Sequence, residues 1–347
     1  MKRRAGPLAG CVLRVAAVIF MFNVSLSAEE LPDAKIQSIA KKNIELLKDK
    51  RYEHDATVSL VCMKGSAVPS LVGAVNRPSE KIGQRIRIIE ILGDIKDPAA
   101  TACLLVSLKD SNVKIRRQAA KSLGQIGDKN ALDGLKGALS DFDTEVRFLA
   151  TRSLEQINDP SLGDTFIKLL DDTDTRIRIL AVNGLGNIKE EKAVEKLSAM
   201  VGDHNDDVRL AISETLGKIG AKSALQALNT LLEDRNINTR REALKALGKI
   251  GDPISIPYLV KIAERDEKDL RLAATTALGD IGTEEVIPTL KKLLRDELLD
   301  VRIAAVKALT KIGNPEFEKD FAPLLNDESM KVRKAAQAAL NELGQKK

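Results

Sequence analysis

An arginine returns every 31 residues along most of this chain, and that interval limits the fold more than any other feature. Stepping from Arg209 reaches Arg178, Arg147, Arg116 and Arg85 in one direction and Arg240, Arg271, Arg302 and Arg333 in the other, with no insertion between them. The stretch from Asp203 to Glu233 is one complete copy. Self-similarity at a period of roughly 20 to 50 residues marks a solenoid, in which no unit can bury its apolar face without its neighbours.

The residues inside a unit say how it folds. Ile115, Ala119, Leu123 and Ile126 follow one another at spacings of four, four and three, the stripe of an amphipathic helix. The leucine position reads Leu92, Leu123, Leu154, Leu185, Leu216, Leu247, Leu278, Leu309 and Leu340. The alanine position reads Ala119, Ala150, Ala181, Ile212, Ala243, Ala274, Ala305 and Ala336, and a small residue there predicts close stacking of neighbouring helices. Gly127, Gly220, Gly251, Gly282 and Gly313 fall just past the stripe, where a left-handed backbone ends a helix cheaply. A second helix starts at once, capped by Asp97, Asp128, Asp159, Asp252, Thr283 or Asn314 and followed by Pro98, Pro160, Pro253 or Pro315. Lys96, Asn158 and Lys189 replace the glycine and Ala221 replaces the cap, which predicts weaker corners. The second helix is expected to bury Leu228, Leu231 and Leu232 and, later, Leu290, Leu293 and Leu294, with Pro257 and Pro288 tightening its first turn.

Composition suits many small helical contacts: 44% of the 347 residues are hydrophobic, 3% are aromatic and there is no Trp. The net charge of +5 is concentrated at the start, where Lys2, Arg3, Arg4 and Arg14 stand in a stretch from Met1 to Ala28 that contains no acid. The remainder carries 51 bases against 50 acids, without the excess of a dedicated nucleic-acid binder. The MKRR start, the uncharged run from Val15 to Phe22 and the small residues Ser25, Ser27 and Ala28 read as a secretory signal. The run is shorter than the roughly 20 residues a spanning helix needs. Cleavage near Ala28 would leave a mature chain from about Glu29, extracytoplasmic, periplasmic or secreted, with no transmembrane segment. Its cysteines, Cys62 and Cys103, lie in different units without paired spacing and are expected as two unpaired side chains, a bridge between them being the alternative.

Residues 29–54 are assigned to a capping helix outside the register, with Asp33 as N-cap and Ile36, Ile39, Ala40, Asn43 and Leu47 on one face. Residues 55–347 are assigned to the repeats. The first, over 55–77, is degenerate and offset by one residue, so that Leu60, Met63 and Val72 match Leu123, Ile126 and Leu135.

The run Asp-x5-Arg-x2-Ala-x3-Leu-Gly-x-Ile-Gly, present from Asp110 to Gly127 and again from Asp296 to Gly313 with Thr310 for the first glycine, resembles HEAT repeats of the phycobilisome lyase-like class. The resemblance covers about residues 55 to 345. It implies an all-α, right-handed solenoid of the HEAT/armadillo kind, with about nine to ten helix pairs. It also implies that Asp110, Asp141, Asp172, Asp203, Asp234, Asp296 and Asp327 form a structural ladder with the arginines, and periodicity agrees, because a catalytic site needs one special constellation.

Function is less constrained. HEAT-repeat hydroxylases hold two irons through several His-Glu pairs, whereas the histidines here are His54 and His204 alone. HEAT-repeat DNA glycosylases rely on aromatic side chains around a flipped or exposed nucleotide, and this chain has no Trp. Bilin lyases of the class work on cytoplasmic antenna proteins, against the export signal. Walker, GxGxxG, GxSxG and HExxH motifs are absent. Asp206 and Asp207 beside His204 have no second histidine or cysteine for a metal. No catalytic, cofactor-binding or metal-ligating residue is therefore assigned. The expectation is an exported scaffold that binds a protein or extended peptide rather than nucleic acid, with a bilin-lyase-like or other HEAT-repeat enzyme as the alternative. Second helices line the concave face in the family. Their outward register here reads Gly137, Lys168, Ala199, Thr230, Lys261, Lys292 and Pro323, with Tyr258 beside it. Lys168, Tyr258, Lys261 and Lys292 are the candidate partner-binding residues.

Overall fold

The computed structural model describes residues 33–77, 80–265 and 267–344, and the signal assigned to 1–28 lies outside them. Twenty α-helices run through the described residues, with no strand among them. They divide into two compact units, one ending at Leu162 and one beginning at Gly163. The first holds α1 (Asp33–Leu46), α2 (Glu53–Cys62), α3 (Val68–Val75), α4 (Ile82–Ile95), α5 (Thr101–Ser107), α6 (Val113–Ile126), α7 (Leu132–Ala138) and α8 (Thr144–Ile157). The second holds α9 (Gly163–Leu169), α10 (Thr175–Ile188), α11 (Val194–Ala199), α12 (Asp206–Ile219), α13 (Leu225–Leu231) and α14 (Ile237–Ile250). It continues with α15 (Ile256–Arg265), α16 (Lys268–Ile281), α17 (Ile287–Leu293), α18 (Leu299–Ile312), α19 (Glu318–Phe321) and α20 (Met330–Gly344). From α4 to α18 the long helices start at Ile82, Val113, Thr144, Thr175, Asp206, Ile237, Lys268 and Leu299, each three positions before an arginine of the series, so the arginine period is a structural period. Within each unit, long helices pack on the next long helix, and short helices pack against the long helix that follows.

The stripe positions are the core. Every leucine of the series from Leu92 to Leu309 is fully buried, as is every residue of the alanine series. Leu340, in the last helix, is half-buried. Each buried leucine contributes about 1.5 to 3 kcal/mol. Neighbouring long helices also approach closely at the glycine after the leucine: a Cβ on Gly248 would sit 2.8 Å from the Cα of Ala277.

Helix ends follow the expected chemistry with two corrections. Gly127, Gly220, Gly251, Gly282 and Gly313 are left-handed, and Lys96, Asn158 and Lys189 adopt the same conformation at φ between 53° and 59°. From α5 onward each short helix then enters through a three-residue 3-10 turn rather than directly, with Asp97, Asp128, Asp252 and Asn314 accepting an amide two residues on. Glu190, outside the expected cap set, accepts from the Lys192 amide. Thr283 makes no cap hydrogen bond, and its hydroxyl is buried without a partner among the described residues. Pro288 sits in the first turn of α17, as its register requires.

At the start of the chain, α1 buries Ala40, Asn43 and Ile44, with Leu47 buried just beyond its end, while Ile36 and Ile39 are half-buried and Asp33 is already helical rather than a cap. Asn43 is buried because its amide donates to Ser59 Oγ at 3.1 Å and to the Ile39 carbonyl at 3.2 Å. In the offset first repeat, Lys64 takes the left-handed position, Leu60 and Leu71 are buried, and Met63 and Val72 are half-buried. Cys103 is a free, buried thiol, so no bridge joins it to Cys62. Cys62 is not among the free thiols, and the expectation of two unpaired cysteines holds for Cys103 alone. Burial pushes the Cys103 thiol up, against the opposing effects of Arg85 and Asn76.

Candidate functional site

The aspartate and arginine series build a ladder between neighbouring turns. Arg116 grips Asp141 with two hydrogen bonds, at 2.7 and 2.9 Å, and donates backward to the Asp110 carbonyl at 3.0 Å. Arg209 does the same with Asp234, at 2.6 and 3.1 Å, and with the Asp203 carbonyl at 2.7 Å. Arg85 meets Asp110, Arg178 meets Asp203, Arg271 meets Asp296 and Arg302 meets Asp327. Each carboxylate also accepts an amide two residues on, as Asp234 does from Asn236 at 2.8 Å. Burial alone would push the Asp234 carboxyl up, but Arg209 and that amide outweigh it and hold the group below the usual carboxylate range. The carboxylates and guanidiniums of these rungs are committed to one another.

One rung differs. Position 265 carries arginine where the series calls for aspartate, and α15 runs three residues longer than the seven of α13 or α17. Arg240 reaches Glu267 instead, at 3.3 Å, and its Nε is buried without a partner among the described residues.

The outward register of the short helices is exposed in these repeats: Gly137, Lys168, Ala199, Thr230, Lys261, Lys292 and Pro323 all face solvent, whereas Ala74, its equivalent in the offset first repeat, is buried. Val106, missed in the sequence reading, belongs to the same register and is 67% exposed. Tyr258 is 49% exposed, and Ile254, one turn earlier, is 65% exposed, so the start of α15 shows solvent an aromatic and an aliphatic side chain together. Lys261 follows on the same helix and Lys292 lies on the next. Lys292 pairs with Glu264 at 2.9 Å, which joins α15 to α17, and Lys261 stands 3.7 Å from Glu233. Tyr258, Lys261 and Lys292 therefore occupy one neighbourhood. Lys168 is on α9, three repeats earlier, and is not part of it.

Phe142 is a second residue that sequence reasoning missed. It is fully exposed at the tip of the loop before α8, between Asp141 and Asp143, which hold Arg116 and Arg117. Its register reads Ser111, Thr173, His204, Arg235, Glu297 and Glu328 in other repeats, so an aromatic among polar residues was the available signal.

No group of three or more candidate metal-ligating side chains occurs among the described residues. The Asp206 carboxylate beside His204 is taken by Arg209 at 2.8 Å and Arg235 at 2.5 Å. No single helix among the described residues is long and apolar enough to cross a membrane.

The family described as HEAT repeats matches residues 68–147, 134–214, 197–275 and 259–341. The chain belongs to the HEAT-repeat family. An engineered protein of known structure covers 88% of this HEAT-repeat chain over 99% of its own length, at 20% identity and a TM-score of 0.57. An Escherichia coli protein solved by structural genomics covers 90% of it over 98% of its own length, at 19% identity and a TM-score of 0.51. Kap95p, from a structure in which its binding induces the switch loops of RanGDP to adopt the GTP-bound conformation, covers 95% of it at 13% identity and a TM-score of 0.65, and the match takes in 54% of that chain. At these identities the likeness shows the fold. No curated protein matches the sequence.

Proposed function

We propose that this chain is a non-catalytic HEAT-repeat scaffold that binds a protein or an extended peptide on the surface formed by its short helices, the concave surface in the family. The observation that carries the reading is the outward register from Val106 to Pro323. It is exposed throughout and varies from repeat to repeat, while the leucine, alanine and ladder positions stay nearly constant. Packing does not dictate these side chains, so they are available for recognition. Tyr258 and Ile254 supply exposed apolar area, and Lys261 and Lys292 sit in solvent-exposed ion pairs worth about 0 to 1 kcal/mol, which a partner's carboxylates can replace at little cost. The Kap95p structure offers a parallel in which a HEAT-like fold engages a protein. The strict period and the Asp-x5-Arg motif support the phycobilisome lyase-like class of the repeat, and the MKRR start supports export and cleavage near Ala28.

Crosslinking in the native envelope fraction followed by mass spectrometry tests the scaffold reading, with a stable protein partner as the expected result. Recovery of a bound chromophore or metal instead would favour an enzyme. With the partner in hand, the combined change Tyr258→Ala, Lys261→Ala, Lys292→Ala weakens binding at least about tenfold with the helical signal unchanged. Changing Lys121, Lys245 and Lys307 on the long helices is the control. A control that weakens binding while the triple change does not would move the binding surface to the long helices.

A further inference from the structure

In the second unit, two ion pairs of equal sequence offset tie the C-terminal end of one short helix to the next. Glu233 reaches Lys261 and Glu264 reaches Lys292. The next step of that pattern joins positions 295 and 323, where the chain has Arg295 in place of the acid and Pro323 in place of the lysine. The pair cannot form, and proline has no long side chain to lie across the gap. A groove of about 870 Å³ opens there, with the buried Leu293 and Leu294 among its lining residues and Pro323 at its side.

The charges in this groove are not equivalent. Glu264, Asp296, Glu297 and Asp320 are each held by a cation of the groove, through Lys292, Arg271 and Lys291. Arg295 and Lys319 are exposed and have no carboxylate partner among the described residues. The groove thus presents two unmatched cations, one of them a guanidinium whose planar fork takes a carboxylate in two parallel hydrogen bonds.

We propose that this groove holds an acidic, extended segment of the partner protein. The proposal deepens the scaffold reading and rests on it. In an extended chain, alternate side chains project to one side about 6.6 Å apart, so one segment can present more than one carboxylate to the groove. Nucleic acid fits poorly. Its affinity comes from neutralising many phosphates in a row, and this groove offers two unmatched cations.

The test is to complete the missing pair. Arg295→Glu with Pro323→Lys installs the acid and base that the two preceding steps carry, so the fold already tolerates them. The probe is a fluorescein-labelled peptide of alternating glutamate and serine, titrated into the full chain and followed by anisotropy at low and physiological salt. Lys307→Gln, on α18, gives the same change in net charge away from the groove. The rebuilt variant is expected to bind the peptide at least about tenfold more weakly, with helical signal and melting preserved and Lys307→Gln within about twofold of the unmodified chain. Equal binding by the rebuilt and unmodified chains overturns the proposal, as does an equal loss in Lys307→Gln or tighter binding of poly(U) than of the peptide. If a crosslinked partner is retained by the rebuilt variant but lost by the Tyr258, Lys261 and Lys292 change, the groove assignment falls and the scaffold reading stands.

Discussion

Replacing Arg209 with methionine tests whether the ladder holds the repeats together. The Arg209 and Asp234 side chains are 7% and 6% exposed, so their two hydrogen bonds act away from bulk water. Methionine keeps the apolar stem and removes the fork, including the bond to the Asp203 carbonyl. Breaking a buried ion pair from one side costs about 3 to 5 kcal/mol, and the Asn236 amide still serving Asp234 reduces this, so about 2 to 4 kcal/mol is expected. Lys261→Met is the comparison: that lysine and Glu233 are 74% and 82% exposed, and their loss is worth about 0 to 1 kcal/mol. Adding Asp234→Asn to Arg209→Met removes the stranded charge and should recover about 1 to 2 kcal/mol. The pH dependence has a definite sign. The Asp234 carboxyl is depressed in the folded chain, so its contribution is complete above the ordinary carboxylate value near pH 4 and is lost as pH falls below it. The Arg209→Met penalty should therefore shrink in acid. Urea unfolding by far-UV circular dichroism gives the total, and hydrogen exchange over residues 203–236 shows whether the loss is local. If Arg209→Met costs no more than Lys261→Met, or its penalty does not fall in acid, the ladder is a surface feature and the reasoning fails.

Three further outcomes follow from the geometry. Deleting Asp203 to Glu233 brings Asp234 and Asn236 into the places of Asp203 and Asn205, so Arg178 regains a carboxylate and a cooperative melt survives at lower stability, whereas removing about 25 residues shifts the stripe out of register and abolishes it; equal melts would refute the repeat register. Lys189→Gly relieves a left-handed non-glycine residue and should be neutral to stabilising by up to about 1 kcal/mol, while Gly251→Ala, at φ 71°, should cost about 1 to 2 kcal/mol, both read from thermal melts. Arg117 holds the Asp143 carboxyl at about 2, so the stability this pair provides is complete above about pH 4 and disappears as pH falls to about 2; Arg117→Gln should flatten the unfolding profile within that window, and an unchanged profile would count against the pair.

The positions that were legible in the sequence are those where one physical requirement acts in every repeat. Leu123 and Ala119 recur because a 3.6-residue helix must present the same face to each neighbour, and Gly127 recurs because the helix must end in a left-handed residue. The left-handed requirement proved stronger than the residue preference, since Lys96, Asn158 and Lys189 obey it without being glycine. The caps of the long helices were not recognised. Asn112, Asp143, Asp174, Asn205 and Asn236 each accept an amide of the following turn, but a single Asx residue in a polar loop also marks an ordinary turn. Glu190 and Thr283 exchanged the expected roles for a related reason: a longer side chain reached the amide, and the nominally better cap did not turn toward it.

The candidate site was legible by register and illegible by contact. Sequence spacing placed Tyr258, Lys261 and Lys292 on adjacent short helices, and there they are. It could not show that each lysine meets an acid at the end of the preceding short helix, because that meeting depends on how far one short helix slides along the next, which side-chain packing sets. Once the offset is known, the exchange of acid for Arg295 and of lysine for Pro323 stops being ordinary surface variation. It becomes a place where the link between short helices has been removed and an opening left beside Arg295 and Lys319. Variation in a repeat protein carries functional information where it breaks a pairing that the two preceding steps keep, and the stretch from α15 to α19 holds both that break and the altered rung at position 265.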